Sequence, residues 1–374
     1  MNAKMIKRFF VVSLSLIITS SLFAPSIRAA EVSVSASSSV LYEPTTGTFL
    51  CENAPDIQRP MASTTKIMTA LVAIENSALD DRIEVDPAAV GVEGSSVYLK
   101  PHETLTMETL LYALLLESAN DAAAAIAYAV GGSIEGFADM MNERAHSMGL
   151  VNTHFKNPHG LHDDEHYTTA RELAIIAGTA MKNDTFRQIV STKKKTLTLR
   201  DGTVSRVVCN HNRLLSLYGG CIGVKTGFTK KSGRCLVSAA ERDGVLLIAV
   251  TLDAPNDWQD HMSLFDHGFS IFESKELAPL RSYTLTLPLS KHKKKKLVLS
   301  NALPLHVVLP HGETAELYAE YDIEKTKEPI TDGAHYGTLY ALYQGKRIAS
   351  VPLIATEDIP LKKSHRGFFD RLFN

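Results

Sequence analysis

The stretch Ser63-Thr64-Thr65-Lys66-Ile67-Met68-Thr69-Ala70-Leu71-Val72-Ala73-Ile74-Glu75-Asn76 decides how the rest of the chain is read. Its apolar positions Ile67, Met68, Leu71, Val72 and Ile74 recur at helical spacing, so a helix beginning at Ser63 is expected. One turn of that helix places Ser63 and Lys66 on a common face, within hydrogen-bond reach. A serine hydroxyl is a poor nucleophile until a base takes its proton. A lysine kept neutral by burial or by a neighbouring cation can serve as that base. The helix N-terminus adds backbone N–H groups suited to an oxyanion.

Outward from this helix the chain changes period twice. Before it, residues 32–53 alternate around Pro44-Thr45-Thr46-Gly47, which predicts a two-stranded hairpin. After it, helices are expected over Thr106–Leu116, Asp121–Val130, Gly136–Ser147 and Thr169–Met181, with Gly131-Gly132 stopping the second. Beyond about residue 195 the period falls to two, in Thr196–Leu199, Ile222–Thr226, Arg234–Ala239 and Val245–Leu252, and a helix near His261–Phe272 closes the unit. Strands, then helices, then strands imply an α/β fold: one mixed sheet with helices on both faces, the first hairpin returning beside the late strands. Pro279 opens a further stretch, residues 281–356, of short alternating runs bounded by Pro and Gly. That is a small all-β C-terminal domain, which leaves 31–276 as the main domain.

The 374 residues suit such a two-domain chain, and 45% hydrophobic with 21% charged residues excludes wholesale disorder. The first 29 residues read as a secretory signal peptide, with a basic start at Lys4, Lys7 and Arg8 and an apolar run from Phe9 to Phe23. The rival is an uncleaved anchor, because Ile27 stands where a small residue is usual. Cleavage after Ala29 removes Lys4, Lys7, Arg8 and Arg28 and no acid, taking the formal charge from −2 to −6. A mildly acidic exported protein is no partner for nucleic acid through bulk charge. No later stretch approaches the ~20 apolar residues of a spanning helix. The terminal segment places Phe368, Phe369, Leu372 and Phe373 on one face beside cationic residues. It suits either an interfacial helix on an anionic membrane or a helix docked on the parent protein. Lys293–Lys296 is expected to be a solvated hairpin end. Export permits a disulfide between Cys209 and Cys221, while Cys235 in its apolar run is expected to be a buried free thiol.

Spacing of Ser63 and Lys66 alone is a weak signal, since Ser191–Lys194 and Ser290–Lys293 match it in polar stretches. Two later motifs, in fixed order along the chain, strengthen it. Ser118-Ala119-Asn120 is the chain's only S-x-N and falls in the break between two helices; Lys225-Thr226-Gly227 is its only K-T-G and ends a strand. A strand edge with a small residue lets an extended substrate pair by main-chain hydrogen bonds. Lys225 and Thr226 would offer a cation and a hydroxyl to a carboxylate.

This ordered trio, within Pro60–Ala70, Leu116–Ala123, Asn157–Leu161 and Gly223–Thr229, resembles the low-molecular-mass penicillin-binding proteins, the serine-type D-alanyl-D-alanine carboxypeptidases. The likeness covers the whole mature chain, including the small β domain and the amphipathic tail. It implies a β-lactamase/transpeptidase-like fold, an exported enzyme at the outer face of the bacterial membrane or the cell wall, and no metal or organic cofactor. It further implies that Ser63 attacks the carbonyl between the terminal D-alanines of a peptidoglycan stem peptide, with Lys66 as base and Ser118 passing the proton to the leaving D-alanine. Asn120 would hold the peptide backbone and Lys66; Lys225 and Thr226 would bind the terminal carboxylate beside Gly227; the N–H groups of Ser63 and Phe228 would form the oxyanion hole. β-Lactams would acylate Ser63. Many relatives bind the carboxylate with an arginine in the strand after K-T-G, but Val245–Ala249 has none, and Arg234 or Arg242 is left to substitute.

A competing pattern is His162-Asp163-Asp164-Glu165-His166, which fits the H-x-x-E-H zinc signature. That chemistry needs both histidines on one helical face. The turn-like residues before it, and the better helix start at Thr169 with Glu172 completing a capping box, place it in a loop. A β-lactamase, a transpeptidase sharing the acyl-enzyme, and a non-catalytic wall-binding relative are the alternatives of function.

Overall fold

The computed structural model describes residues 32–199, 204–289, 292–322 and 329–360. The expected signal segment and the tail aromatics lie outside the described residues. Of the Lys293–Lys296 run, only the Lys296 side chain is within them, and it is exposed.

The chain opens with the expected hairpin, β1 (Ser38–Glu43) and β2 (Thr48–Asn53). Gly47 takes the left-handed φ of 74° that the turn requires, and the buried Glu43 carboxylate accepts from the N–H groups of Thr45 and Thr46. A 3-10 turn over Ala62–Thr65 leads into α1 (Lys66–Asn76), so Ser63 stands just ahead of the α-helix and not at its first residue. The small ladder β3 (Arg82–Glu84) and β4 (Thr104–Thr106) precedes α2 (Met107–Leu116), capped by the Thr106 hydroxyl. Then come α3 (Asn120–Gly131), stopped by Gly132 at φ 73°, and α4 (Ile134–Ser147), which Ser133 caps. α5 (Ala170–Ala180) is capped by Thr169 as expected. Short α6 (Asp184–Ser191) and α7 (Leu214–Leu217) were not anticipated; they flank the hairpin β5 (Lys194–Leu199) and β6 (Val204–Cys209).

The central sheet is completed by β7 (Cys221–Thr229), β8 (Gly233–Arg242) and β9 (Val245–Leu252), in the order β2-β1-β9-β8-β7. The first hairpin returns beside the last strand, as expected. The layering is the expected α/β one, but within the sheet every pairing is antiparallel. Tight turns join β1 to β2 and β7 through β9, and such turns permit only antiparallel neighbours.

Alternation along the strands sends residues to two faces. Val40, Val237, Ile248 and Val250 pack with the helices α1 to α6. Leu41, Leu236, Leu247 and Ala249 pack on Leu264 and Phe265 of α8 (Asp257–Ile271). Each large side chain so buried contributes about 1.5–3 kcal/mol.

With no intervening loop, α8 passes into β10 (Phe272–Ala278). The remaining strands are β11 (Thr284–Leu289), β12 (His292–Asn301), β13 (Leu305–Pro310), β14 (Glu316–Tyr321), β15 (His335–Tyr343) and β16 (Lys346–Ala355). β10 pairs with β13, and the others form a sheet in the order β11-β12-β16-β15-β14 over a separate core of Leu287, Leu297, Leu299, Leu339 and Leu353. This all-β unit was expected; β10 and β14 were not. Phe272 and Val308 belong instead to the core beneath α8. All four cysteines are free thiols: Cys209 is exposed at the end of β6, while Cys221 opens a different sheet and turns its thiol to the Gly223 carbonyl.

Candidate active site

Ser63 lines a cleft of about 360 Å³ together with Ser118, Thr226, Gly227, Phe228 and Arg234. The nucleophile's turn is held from three sides. Ala62 adopts a left-handed φ of 48° while buried, a strained backbone ahead of Ser63 that surrounding contacts must maintain. The loop 157–160 presses on it: a side chain at Gly160 would bring its Cβ within 2.0 Å of the Ala62 carbonyl oxygen, so only glycine fits. From the other side β7 runs so close that a Cβ on Gly227 would stand 3.0 Å from the Ser63 nitrogen.

Lys66 is fully buried; its Nζ donates to Asn120 Oδ1 at 2.7 Å and to the His159 carbonyl at 2.6 Å, and in its neutral form accepts from the Ser63 hydroxyl at 2.9 Å. Burial holds the amine well below the ordinary lysine range, and Lys225 adds to the effect against the pull of Asp121. A neutral amine bonded to a serine hydroxyl can take its proton. Asn120, the first residue of α3, is fixed at both ends, because its Nδ2 donates to the Glu93 carbonyl. Ser118, at a left-handed φ of 63° in the break before α3, faces the cleft although 5% exposed.

The K-T-G residues lie on β7. Thr226 and Gly227 line the cleft, and Phe228 stands 67% exposed at its wall. Lys225 is different: at 2% exposure it turns its amine to the Thr226 carbonyl at 3.0 Å, and burial pushes it down to about 7. The strand that follows K-T-G is β8 and not Val245–Ala249, so the expected lack of an arginine there is corrected: β8 holds both arginines, of which Arg234 lines the cleft, whereas Arg242 lies elsewhere, over the rings of Tyr218 and Phe269. The Nη2 of Arg234 donates to both carboxylate oxygens of Asp257 at 2.8 and 2.9 Å, and its guanidinium lies 5.6 Å from the Trp258 ring centre.

The H-x-x-E-H residues sit in the non-helical stretch between α4 and α5. His166 Nδ1 accepts from the Lys156 N–H, so Nε2 carries the proton and donates to Thr65 Oγ1, which in turn donates to the Ala62 carbonyl. Burial lowers His166 to about 4 and keeps it neutral. This histidine braces the nucleophile's turn. His162 instead meets Asp164, and Glu165 meets Lys156.

Three contributors escaped residue-type reasoning. His159 acts through its backbone carbonyl, for which no side-chain signature exists. Asp121 gathers Ser96 Oγ and the N–H groups of Val97, Leu99 and Ala122, shaping the loop beside the cleft. His211 lines the cleft with its pKa lowered by burial and by Lys225. The Asn157-Pro158-His159-Gly160 run, a turn followed by glycine, was the only available pointer to the first.

Comparison with known proteins identifies the family of the chain. Residues 25–256 match the family model of D-alanyl-D-alanine carboxypeptidase, and residues 272–361 match that of the penicillin-binding protein 5 C-terminal domain. The chain is 32% identical over 357 residues to the D-alanyl-D-alanine carboxypeptidase DacF of Bacillus subtilis, spanning 90% of this chain and 91% of that one. It is 32% identical over 375 residues to DacC of Escherichia coli, spanning 94% and 92%. Among solved structures, the D-alanyl-D-alanine carboxypeptidase DacD from Francisella tularensis matches with a TM-score of 0.62 at 27% identity, over 90% of this chain and 96% of that one. A Streptomyces DD-transpeptidase matches with a TM-score of 0.62 at 35% identity, over 65% and 100%.

Proposed function

This chain belongs to the D-alanyl-D-alanine carboxypeptidase family of serine peptidases, and we propose that Ser63 is the nucleophile through which it removes the terminal D-alanine of peptidoglycan stem peptides. The observation that carries this is the 2.9 Å contact between Ser63 Oγ and the buried Nζ of Lys66 at the wall of the cleft. Lys66 takes the Ser63 proton as Oγ attacks the carbonyl joining the last two residues. The oxyanion that forms is received by the backbone N–H groups of Ser63 and Phe228. The C–N bond breaks, the proton returns to the leaving amine through Ser118, and free D-alanine departs. Water then attacks the Ser63 ester and gives up a proton to Lys66, which passes it to Ser63 Oγ as the ester C–O bond breaks and the shortened peptide leaves.

Asn120 holds Lys66 in register and keeps one amide hydrogen for the peptide backbone. Thr226 and the β7 edge at Gly227 receive the substrate's terminal residue, while Lys225 supplies positive potential from within the protein and keeps Lys66 neutral. A β-lactam follows the acylation half of the same path and is trapped as an ester. The work is done outside the cytoplasm: residues 1–29 direct export, 31–276 carry the chemistry, 281–356 form an accessory β unit, and the amphipathic tail makes peripheral membrane contact.

Intact mass after incubation with a β-lactam, and separately with a stem peptide ending in D-Ala-D-Ala, tests the assignment. A stable adduct on Ser63 together with free D-alanine is expected. Ser63→Ala should lose both, and Lys66→Ala should lose at least about 1,000-fold in acylation while its circular dichroism is retained. Rapid drug hydrolysis without D-alanine release would make the enzyme a β-lactamase. Transfer of the acyl group to an added amine in preference to water would make it a transpeptidase.

A further inference from the structure

We propose that Arg206 and Tyr98 form a second subsite at the rim of the cleft, one that receives a carboxylate of the stem peptide upstream of the scissile bond. This rests on the carboxypeptidase assignment above and extends that site along the substrate. The register of β5 and β6 sets Arg206 opposite Leu197, on the strand face that also carries Val204 and Val208, and these three apolar residues join the main core. Strand alternation therefore turns the half-buried Arg206 along the protein and not straight into solvent. Its guanidinium lies 5.1 Å from the centre of the Tyr98 ring, and its Nη2 donates to the Ser96 carbonyl at 3.3 Å. Among the described residues that is the only hydrogen bond of the guanidinium, and no carboxylate pairs with it. Partial burial of a cation without a counter-charge costs stability, which an anionic ligand would restore.

The loop that presents Tyr98 is tied to the catalytic residues. Buried Asp121, next to Asn120, accepts from the Ser96 hydroxyl at 2.6 Å and from the N–H groups of Val97 and Leu99 at 3.2 and 3.0 Å. The Tyr98 N–H donates to Ser96 Oγ at 2.8 Å. So held, Tyr98 keeps a left-handed φ of 55°, rare for an aromatic residue, and stands 68% exposed. Ser95, adjoining Ser96, lines the cleft, and its carbonyl accepts from the Asn120 N–H at 2.7 Å. Asn120 is where the peptide backbone is held, and the terminal residue goes to Thr226 on β7. The chain upstream of the scissile bond therefore leaves along Ser95, toward Arg206. A planar fork steadied by a ring on one face and a carbonyl at one nitrogen, with Nε and Nη1 unengaged, is suited to a carboxylate.

The test uses the mature full-length enzyme with two peptides that end in D-Ala-D-Ala and differ at one upstream group, a γ-linked glutamate with a free α-carboxylate and the same residue amidated. The wild type should prefer the acid. In Arg206→Gln the acid-to-amide ratio of kcat/KM should fall about 5–10-fold, between the loss of an exposed ion pair and that of an enclosed charged hydrogen bond, and the change should fall on KM. Arg206→Lys should recover part of the ratio, because it keeps the charge without the fork. Tyr98→Asn removes the ring with a residue that tolerates the left-handed backbone, and should lower the ratio about 2-fold or more. The rate of Ser63 acylation by benzylpenicillin, which has no carboxylate on its acyl side, reports whether the nucleophile is intact. A wild-type ratio in Arg206→Gln or in Tyr98→Asn overturns the proposal. So do equal losses on both peptides and on the drug, which would make Arg206 a brace for the Ser96 loop. A wild type that turns over acid and amide alike overturns it as well. A wild type acylated by the drug that frees D-alanine from neither peptide defeats the carboxypeptidase assignment itself, an outcome distinct from turnover with an unaltered ratio.

Discussion

Gly227 shows how narrowly the nucleophile is placed. A methyl group there would lie 3.0 Å from the Ser63 nitrogen and 3.1 Å from both the Met61 oxygen and the Thr64 nitrogen, all of them backbone atoms. β7 and the nucleophile's turn would have to part by a few tenths of an ångström. Reaction geometry is sensitive on that scale, because small misplacements of reacting groups forfeit much of the advantage of proximity. Gly227→Ala is expected to slow β-lactam acylation about 10–100-fold, read by stopped-flow fluorescence, with the thermal midpoint nearly unchanged. Gly160 differs, since its φ of 88° and the Ala62 carbonyl at 2.0 Å leave no such small adjustment. The importance of K-T-G ending in glycine was legible from the sequence. Its partner was not, because Ser63 and Gly227 meet only once the sheet is folded.

Among the elements, the 3-10 turn ahead of α1 is more useful than the α-helical start that the periodicity predicts. A 3-10 turn has three residues per turn, so positions i and i+3 eclipse, and Ser63 and Lys66 stand directly in line. The start of α5 departs from expectation in a second way. Thr169 caps the helix, with the Glu172 N–H donating to its hydroxyl, but the Glu172 carboxylate does not complete a capping box. It accepts instead from the N–H groups of Val151 and Asn152 and the Thr153 hydroxyl, tying down the chain that leaves α4. Neutralising it weakens charge-assisted bonds in a buried setting. Glu172→Gln should destabilise the protein by about 1–3 kcal/mol, seen as a lower urea midpoint with an unchanged slope.

For the molecule as a whole, buried neutral histidines set the response to acid. His159 is lowered to about 3 by burial and by Lys66, His166 to about 4 by burial, and His261, under the central sheet, to about 3 by burial. Each folded-state value lies below the unfolded value of about 6.5, so the unfolded chain binds more protons as the pH drops past that point. The stability these groups contribute is complete above about pH 6.5 and is lost progressively toward the folded values. At pH 5 each histidine would forfeit up to about 2 kcal/mol. The denaturant midpoint should therefore fall clearly between about pH 7 and pH 5, and His261→Gln, at a residue that does not line the cleft, should flatten part of that slope. A profile without slope over this interval would show that these side chains are protonated without cost. Catalysis shifts the same way, because Lys66 must be neutral to accept the Ser63 proton.

Residue order was enough to specify the larger elements and their succession, the return of the first hairpin to the late strands, the separate β-rich end and the three motifs of the cleft, but not the short β3, β4, β6, α6 and α7 or the strands β10 and β14. Periodicity and capping are local properties, written within a few residues of where they act. Which groups the cleft presents was settled by packing between distant segments. Lys66 meets Asn120 from 54 positions away and the His159 carbonyl from 93, and Thr65 meets His166 from 101. Burial of Lys225 and exposure of Arg234 likewise depend on how β7, β8 and α8 pack, not on residue type. Spacing along a chain names the reacting groups; only contact between distant segments sets their direction, their solvation and hence their charge.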